Sequence, residues 1–510
     1  MLEAAAPAEA AGALITAWRA AVTRVTAALG WPSVHCTATD RDGHLTLAFT
    51  APAECLLTAT EVNEWAWQEA ILRAGFPAEL PLLSPGDLPR DEAAAVRQLA
   101  ALAAIEAGEA SNDLAVVAAG NFHLALVTGS NGKTTTTRLI AAMTAAEGWP
   151  TGWSCTDGVF IAGEPLERGD WSGPAGAHLV MADPTIQAAV LETARGGILR
   201  RGLGVIGARV AVVTNIEADH FGEYGVSSLA DLAAVKLVVA KGLRAGGTLV
   251  LNADDAELRS SALPDEMRVR WFSPTGDAPR SPTRVVAAWR EGDRLMLENA
   301  QGRHDLGDVR AMPITASGAA TYNIANALAA SLAASELGVA ANHIASVLAT
   351  FGGRHEDNAG RLSRFAFDGI EVLVDYAHNP TGLSGLIAVA QSLGPKRLLL
   401  LLGQAGNRGD DAIAALAAAA WAAQPDRIVI KELEGYRRGR AVGEVPGLLR
   451  AELERLGAAP DQLAMAPTEV SAVEEALRWA RAGDVLVLPV HGLEARAKVI
   501  AMLGARSSLR

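Results

Sequence analysis

The sequence contains few cysteines and no excess of basic residues. Its three cysteines, Cys36, Cys55 and Cys155, have neither metal-ligand spacing nor the even count of a disulfide framework, which is typical of a reducing compartment. The formal net charge is −13, from 57 acidic and 44 basic residues. Because an acidic surface repels polyanions, nucleic acids and anionic membranes are disfavoured as principal partners. We therefore expect a cytoplasmic protein that binds neither.

Long apolar runs are also missing. The most apolar segment, 397–403, is much shorter than the roughly 20 residues that a membrane-spanning helix needs. Residues 1–7 lack the basic stretch and apolar core of a signal peptide, so we expect no leader. Half of the 510 residues are nevertheless hydrophobic, which is enough for about three domains with filled cores.

A glycine-rich turn lies between an apolar segment and a helical one. Residues 124–128 have the length of a strand, and residues 138–143 have helical character. The glycines between them let the backbone bend so that successive N–H groups face an anion at a helix N-terminus. This pattern predicts a phosphate loop, whose nucleotide contacts are Gly129, Asn131, Gly132, Lys133, Thr134 and Thr135.

Two side chains of this loop have distinct predicted roles. Lys133 would reach the outer phosphates, and the Thr134 hydroxyl would ligate Mg²⁺. The glycine spacing is shorter than in the common GxxxxGK[ST] pattern, which argues against a generic nucleotide hydrolase. The alternative is an ordinary Gly-Lys turn that caps a helix. Strand, turn, Lys-Thr pair and helix coincide here, and that coincidence favours the phosphate loop.

The sequence predicts an α/β protein of three domains. Residues 1–115 would form a small α+β domain without visible chemistry, 116–352 a central P-loop ATPase domain with a mostly parallel sheet, and 353–510 a C-terminal Rossmann-like α/β domain. In the last two regions strands alternate with helices, as in parallel sheets covered on both faces. The predicted strands are 45–49, 124–128, 188–192, 210–215, 248–252, 370–375, 397–402, 427–431 and 485–489, with small hairpins in 283–310. The predicted helices are 13–29, 59–75, 91–109, 229–243, 322–337, 383–393, 410–423, 443–456 and 470–482.

Polar residues follow two strands of the predicted central sheet. In an open parallel sheet, ligands gather beyond the carboxyl ends of the strands, which selects Glu192, Asn215 and the following loop 216–220 with Asp219 and His220. Chemistry that activates a carboxylate with ATP brings two anions together, so a second metal ion is useful, and Glu192 and His220 are its predicted ligands. The alternative is a solvated strand end and a histidine whose hydrogen bonds are satisfied within a loop.

Lys236 is surrounded by apolar residues in the predicted helix 229–243. A lysine in this setting is poorly solvated, which favours the neutral amine. A neutral amine can take up carbon dioxide to give a carbamate, an anion that is able to hold a metal ion. The alternative is a lysine whose ammonium group extends to solvent.

Several motifs resemble, in their order along the chain, those of the Mur ligase family. They are Thr128-Gly129-Ser130-Asn131-Gly132-Lys133-Thr134-Thr135, Thr214-Asn215-Ile216, Asp219-His220, 323–326, Gly360-Arg361 and Asp375-Tyr376-Ala377-His378-Asn379-Pro380. Enzymes of this family join a carboxylate to an amine with ATP through an acyl phosphate and release ADP and phosphate. Segments 191–200, 251–255 and 431–440 are most similar to the C-terminal, Mur-like half of cyanophycin synthetase. The likeness covers roughly residues 110–480.

The resemblance implies roles for residues at matching positions. Lys133 and Thr134 would serve the phosphates and the first Mg²⁺, Glu192 and His220 the second, and Asn326 the adenine. Arg361 and Asp375 would hold ATP from the C-terminal domain, so that domain closure completes the site. Lys236 matches a position that is carbamylated in many Mur ligases. The remaining candidate substrate contacts are Arg195, His378, Asn379, Arg437, Arg438 and Arg440, of which the last three would either steer an anionic acceptor or form a solvated basic loop.

The function implied is an ADP-forming amide ligase that couples a carboxylate to an amino acid, with an aspartyl β-carboxylate and arginine as a cyanophycin-like pair. The alternatives are a peptidoglycan or folyl-polyglutamate type of ligase and a non-catalytic, nucleotide-binding partner subunit. Two departures stand out: the Pro-Gly-Arg of the family is Ala359-Gly360-Arg361, and the first 115 residues show neither the ATP-grasp half of cyanophycin synthetase nor a clear uridine-nucleotide domain. The sequence permits an oligomer without indicating one.

Overall fold

The computed structural model describes residues 2–5, 11–31, 34–41, 44–52, 55–73, 92–106, 122–218, 226–264, 267–276 and 285–507. Within these ranges the strands form three sheets, of 3, 11 and 6 strands, and each sheet lies inside one of the three predicted regions. The α/β class with a mostly parallel central sheet is confirmed. The domain boundaries themselves stay predictions.

The first sheet is small and antiparallel, in the order β1-β3-β2, and is covered by helices. A buried hydrogen bond of 2.8 Å from Trp18 Nε1 to Asn63 Oδ1 joins two of these helices. The strands before residue 44 were not predicted, because they are short and only partly apolar. The elements are β1 (Leu2–Ala5), α1 (Ala11–Ala28), β2 (Cys36–Arg41), β3 (His44–Phe49), α2 (Leu56–Arg73) and α3 (Glu92–Glu106).

The central sheet has the order β14-β13-β12-β11-β10-β9-β4-β8-β5-β6-β7. Its middle strands are parallel, and antiparallel hairpins extend both edges, which confirms the hairpins predicted in 283–310. Its strands are β4 (His123–Thr128), β5 (Thr151–Cys155), β6 (Gly158–Ile161), β7 (Glu164–Arg168), β8 (Ala188–Glu192), β9 (Ala208–Val213), β10 (Leu243–Asn252), β11 (Arg268–Ser273), β12 (Val286–Glu291), β13 (Arg294–Asn299) and β14 (Gly302–Asp308). Its helices are α4 (Lys133–Ala146), α5 (Pro174–Met181), α6 (Arg195–Arg201), α7 (Leu229–Leu237), α8 (Ala256–Ser260), α9 (Thr321–Leu337) and α10 (Ala341–Thr350).

Strand order places the candidate residues together. β4 lies between β8 and β9 and is parallel to both, so the segments that follow all three strands meet at one edge of the sheet. Helices α4 and α9 bury their apolar sides on one face, through residues such as Ile140 and Leu328. Helices α5, α6 and α7 cover the other face, through residues such as Val180 and Leu232. The phosphate loop therefore leaves the centre of a sheet that is packed on both faces.

The predicted helix 229–243 is wrong in its second half. The α-helix ends at Leu237, a 3₁₀ turn spans Val238–Gly242, and β10 begins at Leu243. Gly242, the last residue of this turn, lies so close to β4 that a Cβ there would come within 2.7 Å of Leu126 Cδ1. Its carbonyl also accepts a hydrogen bond of 2.8 Å from Gly207 N, which brings the chain back to the sheet.

The C-terminal sheet has the order β15-β16-β20-β17-β18-β19, parallel except for β15. Buried clusters lie on both of its faces, as expected for a Rossmann-like arrangement. Strands 370–375, 397–402 and 427–431 are confirmed, whereas the edge strands β15 and β19 were not predicted. The elements are β15 (Ser363–Phe367), β16 (Ile370–Asp375), α11 (Pro380–Ser392), β17 (Arg397–Leu402), α12 (Asp410–Trp421), β18 (Arg427–Lys431), α13 (Glu444–Arg455), β19 (Leu463–Ala466), α14 (Glu469–Trp479), β20 (Asp484–Pro489) and α15 (Leu493–Gly504). In the ranges given above, no helix has the length and apolarity needed to cross a bilayer.

Candidate active site

The phosphate loop, residues 129–135, joins β4 to α4 as predicted. Gly129 and Gly132 have φ of +148° and +84°, values that other residues rarely adopt. A Cβ on Gly129 would overlap Thr214 Oγ1, and a Cβ on Gly132 would overlap Asn326 Oδ1. Glycine is therefore required twice over, by the backbone conformation and by the close approach of a neighbour.

The loop is held in shape by residues that follow β9. Asn131 N donates to Asn215 Oδ1 at 2.9 Å, and Ser130 N donates to the Asn215 carbonyl at 3.0 Å. Thr214 Oγ1 donates to the Asn131 carbonyl at 2.6 Å. These bonds fix the loop before any ligand arrives, which reduces the ordering cost of binding.

Thr134 and Glu192 are in direct contact. Thr134 Oγ1 donates to Glu192 Oε2 at 2.8 Å, and Thr156 Oγ1 donates to Glu192 Oε1 at 2.9 Å. Glu192 is buried, with 2% of its surface exposed. Its carboxylate and the Thr134 hydroxyl are the hard oxygen donors that Mg²⁺ prefers, so the residues present fit the ion.

The second predicted metal ligand cannot be placed beside Glu192, because His220, like Asp219, lies outside the described residues. Among the residues that are described, no group of three or more histidine, cysteine or acidic side chains is arranged to hold a metal ion. The second metal site stays a prediction.

Two lysines donate hydrogen bonds to carbonyl groups of the phosphate loop. Lys133 Nζ donates to the Ser130 carbonyl at 2.9 Å, so in this arrangement it folds back over the loop. Lys236 is 4% exposed, and its Nζ donates to the Gly129 carbonyl at 2.8 Å. The prediction of a poorly solvated Lys236 is confirmed, and the alternative of an ammonium group extended to solvent is wrong. The carbamate at Lys236 stays a prediction.

The C-terminal domain contacts the loop directly. Asn379 Nδ2 donates to Asn131 Oδ1 at 2.9 Å, and Arg361 Nη2 lies 3.5 Å from Thr134 Oγ1. Burial raises the pKa of Asp375, although Arg361 and backbone N–H groups act to lower it. One of those donors is Leu362 N, at 2.6 Å from Asp375 Oδ2. Residues predicted from two separate motifs thus meet at the phosphate loop.

A cavity of about 180 Å³, the cleft, lies between the central and C-terminal domains. Its walls bring together most of the predicted nucleotide contacts, and Arg361 and Asp375 both face it. The lining residues include Asn131, Gly132, Lys133, Thr134, Thr135, Glu192, Asn326, Arg361, Asp375, Tyr376 and His378.

Three arginines converge on Asp157 beside the cleft. Arg138 Nη2 and Arg361 Nη2 lie 2.7 and 3.6 Å from Asp157 Oδ2, and Arg496 pairs with Oδ1 of the same carboxylate. Burial acts against ionisation, but the three guanidinium groups lower the pKa of Asp157 to about 2. Sequence reasoning missed Asp157, Arg138 and Arg496. The residue of a sequence motif that bears on this group is Gly360. A side chain there would overlap Arg496, because its Cβ would meet the Arg496 side chain.

Three further candidate substrate contacts are Arg195, Arg438 and Arg440. Arg195 is buried at the start of α6, and Arg438 lies over the Tyr436 ring at 5.4 Å. Arg440 is tied to the protein by hydrogen bonds of 3.0 Å to the Gly406 carbonyl, 2.9 Å to the Arg408 carbonyl, 2.7 Å to Asp410 and 2.9 Å to Glu444. Its charge is thus balanced within the domain. Substrate roles for Arg195, His378, Asn379, Arg437, Arg438 and Arg440 stay predictions.

Comparison with known proteins identifies two family domains. Residues 127–334 match the Mur ligase middle domain, and residues 360–489 match the Mur ligase, glutamate ligase domain. Cyanophycin synthetase of Trichormus variabilis is 35% identical over 390 residues, which are 76% of this chain and 43% of that protein. The enzyme of Crocosphaera subtropica is 38% identical over 327 residues, 63% of this chain and 37% of that protein. The chain therefore spans less than half the length of these relatives.

Solved structures show the same fold. Mycobacterium tuberculosis folylpolyglutamate synthase complexed with ADP superposes with a TM-score of 0.57 at 18% identity, covering 79% of this chain and 95% of that one. Together with the two matched domains, this fold shows that the chain belongs to the Mur ligase family.

Proposed function

We propose that the protein is an ATP-dependent, ADP-forming ligase that joins a carboxylate to the amine of an amino acid. The observation that carries the proposal is the cleft, in which the phosphate loop, Glu192, Arg361 and Asp375 face one cavity between two domains. A nucleotide held there would be enclosed by both domains, which excludes water from a reactive phosphorylated intermediate.

The reaction has two steps. A carboxylate oxygen attacks the terminal phosphorus of ATP, the bond from that phosphorus to ADP breaks, and an acyl phosphate forms. The amine nitrogen then attacks the carbonyl carbon, the carbon–oxygen bond to phosphate breaks, and the nitrogen loses a proton. The products are the amide, ADP and phosphate.

The chain's own groups would act chiefly by position and charge. Lys133 and Arg361 would donate to the phosphate oxygens, and the loop N–H groups between Gly129 and Thr135 would hold the triphosphate in line with the attacking carboxylate. Thr134 would hold a first Mg²⁺, which supplies positive charge beside the phosphates when bound. We extend the proposal to a second Mg²⁺ at Glu192 and His220, and to a carbamate at the buried Lys236.

For the substrates, we propose an aspartyl β-carboxylate and arginine or a similar amino acid. The relatives at 35% and 38% identity are cyanophycin synthetases, and this supports the pair. The net charge of −13 supports small-molecule or peptide partners over nucleic acid.

An assay of ADP release tests both the proposed reaction and the proposed substrates, an aspartyl β-carboxylate and arginine. Purified protein is supplied with ATP, Mg²⁺ and each amino acid, with and without short Asp-Arg peptides. We expect release that depends on both the acid and arginine, and a loss of about 100-fold or more in Lys133→Ala because one phosphate contact is removed. Lys241→Ala, which changes an exposed lysine, is the matched control. If the protein binds nucleotide but releases no ADP with any pair of substrates, a non-catalytic role is favoured. If Lys133→Ala releases ADP as fast as the wild type, the proposed reaction is contradicted.

A further inference from the structure

The arginine cluster, defined as Arg138, Arg361 and Arg496 around Asp157, is built from both domains. Arg138 lies on α4 and Asp157 in the turn between β5 and β6, whereas Arg361 precedes β15 and Arg496 lies in the first turn of α15. The four side chains are 9%, 12%, 5% and 8% exposed, in the order Arg138, Arg361, Arg496 and Asp157. Three cations are therefore withdrawn from water around one anion.

The cluster carries more positive than negative charge. Across the described part of the chain, Asp157 is the only carboxylate within ion-pair distance of any of the three arginines. Glu192 and Asp375 act on Arg361 at longer range and offset part of its charge, whereas Asp157 is the carboxylate that acts most strongly on Arg496. Like charges in a poorly solvated place repel strongly, so a further anion would relieve the repulsion.

One donor of the cluster is unused. Arg496 Nη1 is buried and has no hydrogen-bond partner within the described ranges, although the neighbouring Nη2 pairs with Asp157. The guanidinium carbons of Arg361 and Arg496 lie 4.3 and 5.3 Å from the centre of the Tyr376 ring. Tyr376 and Arg361 line the cleft, and Arg496 packs behind them against the same Tyr376 ring.

Gly360 makes this arrangement possible. Its φ is +69°, and a Cβ at this position would overlap Cδ and Nε of Arg496. The glycine that precedes Arg361 thus lets the two guanidinium groups approach the same ring. A buried donor held this closely next to a cation is costly unless something accepts from it.

We propose that Arg361 and Arg496, backed by Arg138, form an oxyanion site in the wall of the cleft. The ligand is an oxyanion of the phosphoryl-transfer step, supplied either by the terminal phosphate of ATP or by the carboxylate that receives it. Asp157 is a positioning residue that holds the guanidinium groups together across the domain boundary. This inference rests on the proposed function to the extent that it requires ATP in the cleft.

Calorimetric titration of Arg496→Met separates the two sources without turnover. If the oxyanion is the terminal phosphate, the Kd for the Mg²⁺ complex of AMP-PNP, a non-hydrolysable ATP analogue, rises about tenfold while the Kd for Mg²⁺–ADP changes less than about twofold. If it is the carboxylate, both nucleotide Kd values stay unchanged and the Kd for an Asp-Arg dipeptide, measured with AMP-PNP bound, rises about tenfold. Either pattern supports the site. Unchanged Kd values for all three ligands overturn it.

Two further variants test whether a loss of affinity comes from the missing contact or from misfolding. Arg496→Lys keeps the charge but loses the second nitrogen of the fork, and we expect it to restore only part of the affinity. Arg397→Met is the matched control, because Arg397 pairs with Asp484 and lies over Trp479 in the same domain, outside the residues that line the cleft. A comparable loss of affinity in Arg397→Met would overturn the site. A wild-type protein that discriminates AMP-PNP from ADP yet makes no amide with any pair would refute the proposed function and leave the site standing.

Discussion

At the residue scale, the phosphate loop depends on glycines whose missing side chains leave room for their neighbours. Gly132 approaches Asn326, and Gly129 approaches Thr214, which in turn donates to the Asn131 carbonyl at 2.6 Å. The sequence motif therefore encodes contacts with two distant segments as well as a turn. Those contacts can be tested separately from the backbone conformation.

Gly132→Ala should weaken nucleotide binding at least about tenfold. The new Cβ displaces Asn326, and the positive φ adds about 1–3 kcal/mol of backbone strain. Titration with AMP-PNP measures the loss. Gly148→Ala is the control: its φ of +93° gives similar strain, but a Cβ there meets nothing within 4 Å. Equal losses of affinity in the two variants would show that strain alone matters.

Lys236 should carry a carbamate when carbon dioxide is supplied, because burial favours the neutral amine that reacts. With ¹³C-bicarbonate, we expect a carbamate carbon resonance in the wild type and in Lys241→Met, but none in Lys236→Met. If the wild type gives no such resonance, Lys236 acts only as the donor to the Gly129 carbonyl.

At the scale of elements, three strands of the C-terminal sheet are joined at their carboxyl ends by buried charges. Lys431, at the end of β18, pairs with Glu469 and donates to the Pro489 carbonyl at 2.5 Å. His491 Nε2 lies 3.0 Å from the Ala377 carbonyl, and its Nδ1 lies 3.3 Å from Lys431 Nζ. A neutral ring that donates from Nε2 and accepts at Nδ1 satisfies both partners. The loop after β16, which reaches the phosphate loop, is held by this network.

Stability should fall as the pH drops from about 6.5 to about 4, and His491 should contribute to the fall. Burial, reinforced by Lys431, lowers the pKa of His491 to about 4, so the unfolded chain, with an ordinary value near 6.5, binds the proton first. The contribution is complete above pH 6.5, is lost towards pH 4, and is at most about 3 kcal/mol. Thermal unfolding across this range should show a shallower slope for His491→Gln than for the wild type. His35→Gln changes an exposed histidine and should keep the wild-type slope; if His491→Gln also keeps it, the assignment is wrong.

Many elements could be predicted from local patterns, but the missed strands include the interior strands β5 and β11 as well as edge strands. The parallel strands β8, β16, β17 and β18 are mainly apolar, because both of their faces are largely buried, and they were predicted to the residue. The edge strands β7, β15 and β19 alternate or are exposed, so they carry little signal. The helix predicted beyond Leu237 is replaced by a 3₁₀ turn and by β10, whose pairing with β9 and β11 outweighed local helical preference.

At the scale of the whole molecule, the cleft exists because side chains cross between domains. Asn379 donates to Asn131 at 2.9 Å, and Thr381 Oγ1 donates to Glu217 Oε2 at 2.8 Å. Asn379 also caps α11, since its Oδ1 accepts from Gly382 N at 2.9 Å. One residue therefore starts a helix and closes the site.

Asn379→Ser should raise the KM for ATP roughly tenfold with little change in the melting temperature. Serine still caps the helix but is too short to reach Asn131, so closure over the nucleotide is weakened while the helix is kept. Steady-state kinetics and thermal unfolding measure the two effects. Thr381→Val, which removes the exposed contact with Glu217, should change KM less than about twofold. A normal KM in Asn379→Ser would argue that the amide pair plays no part in closure.

The sequence by itself determined the phosphate loop, most of the parallel strands and the family. These features are local, since glycine spacing, a Lys-Thr pair and apolar runs impose their geometry on neighbouring residues whatever lies elsewhere. Only the tertiary structure decided that Arg496 joins Arg361 and Arg138 around Asp157, and that Lys236 donates to Gly129. Residues 138, 157, 361 and 496 come together because the central and C-terminal domains contact one another. The pairing of distant charges across such an interface leaves no periodic pattern along the chain.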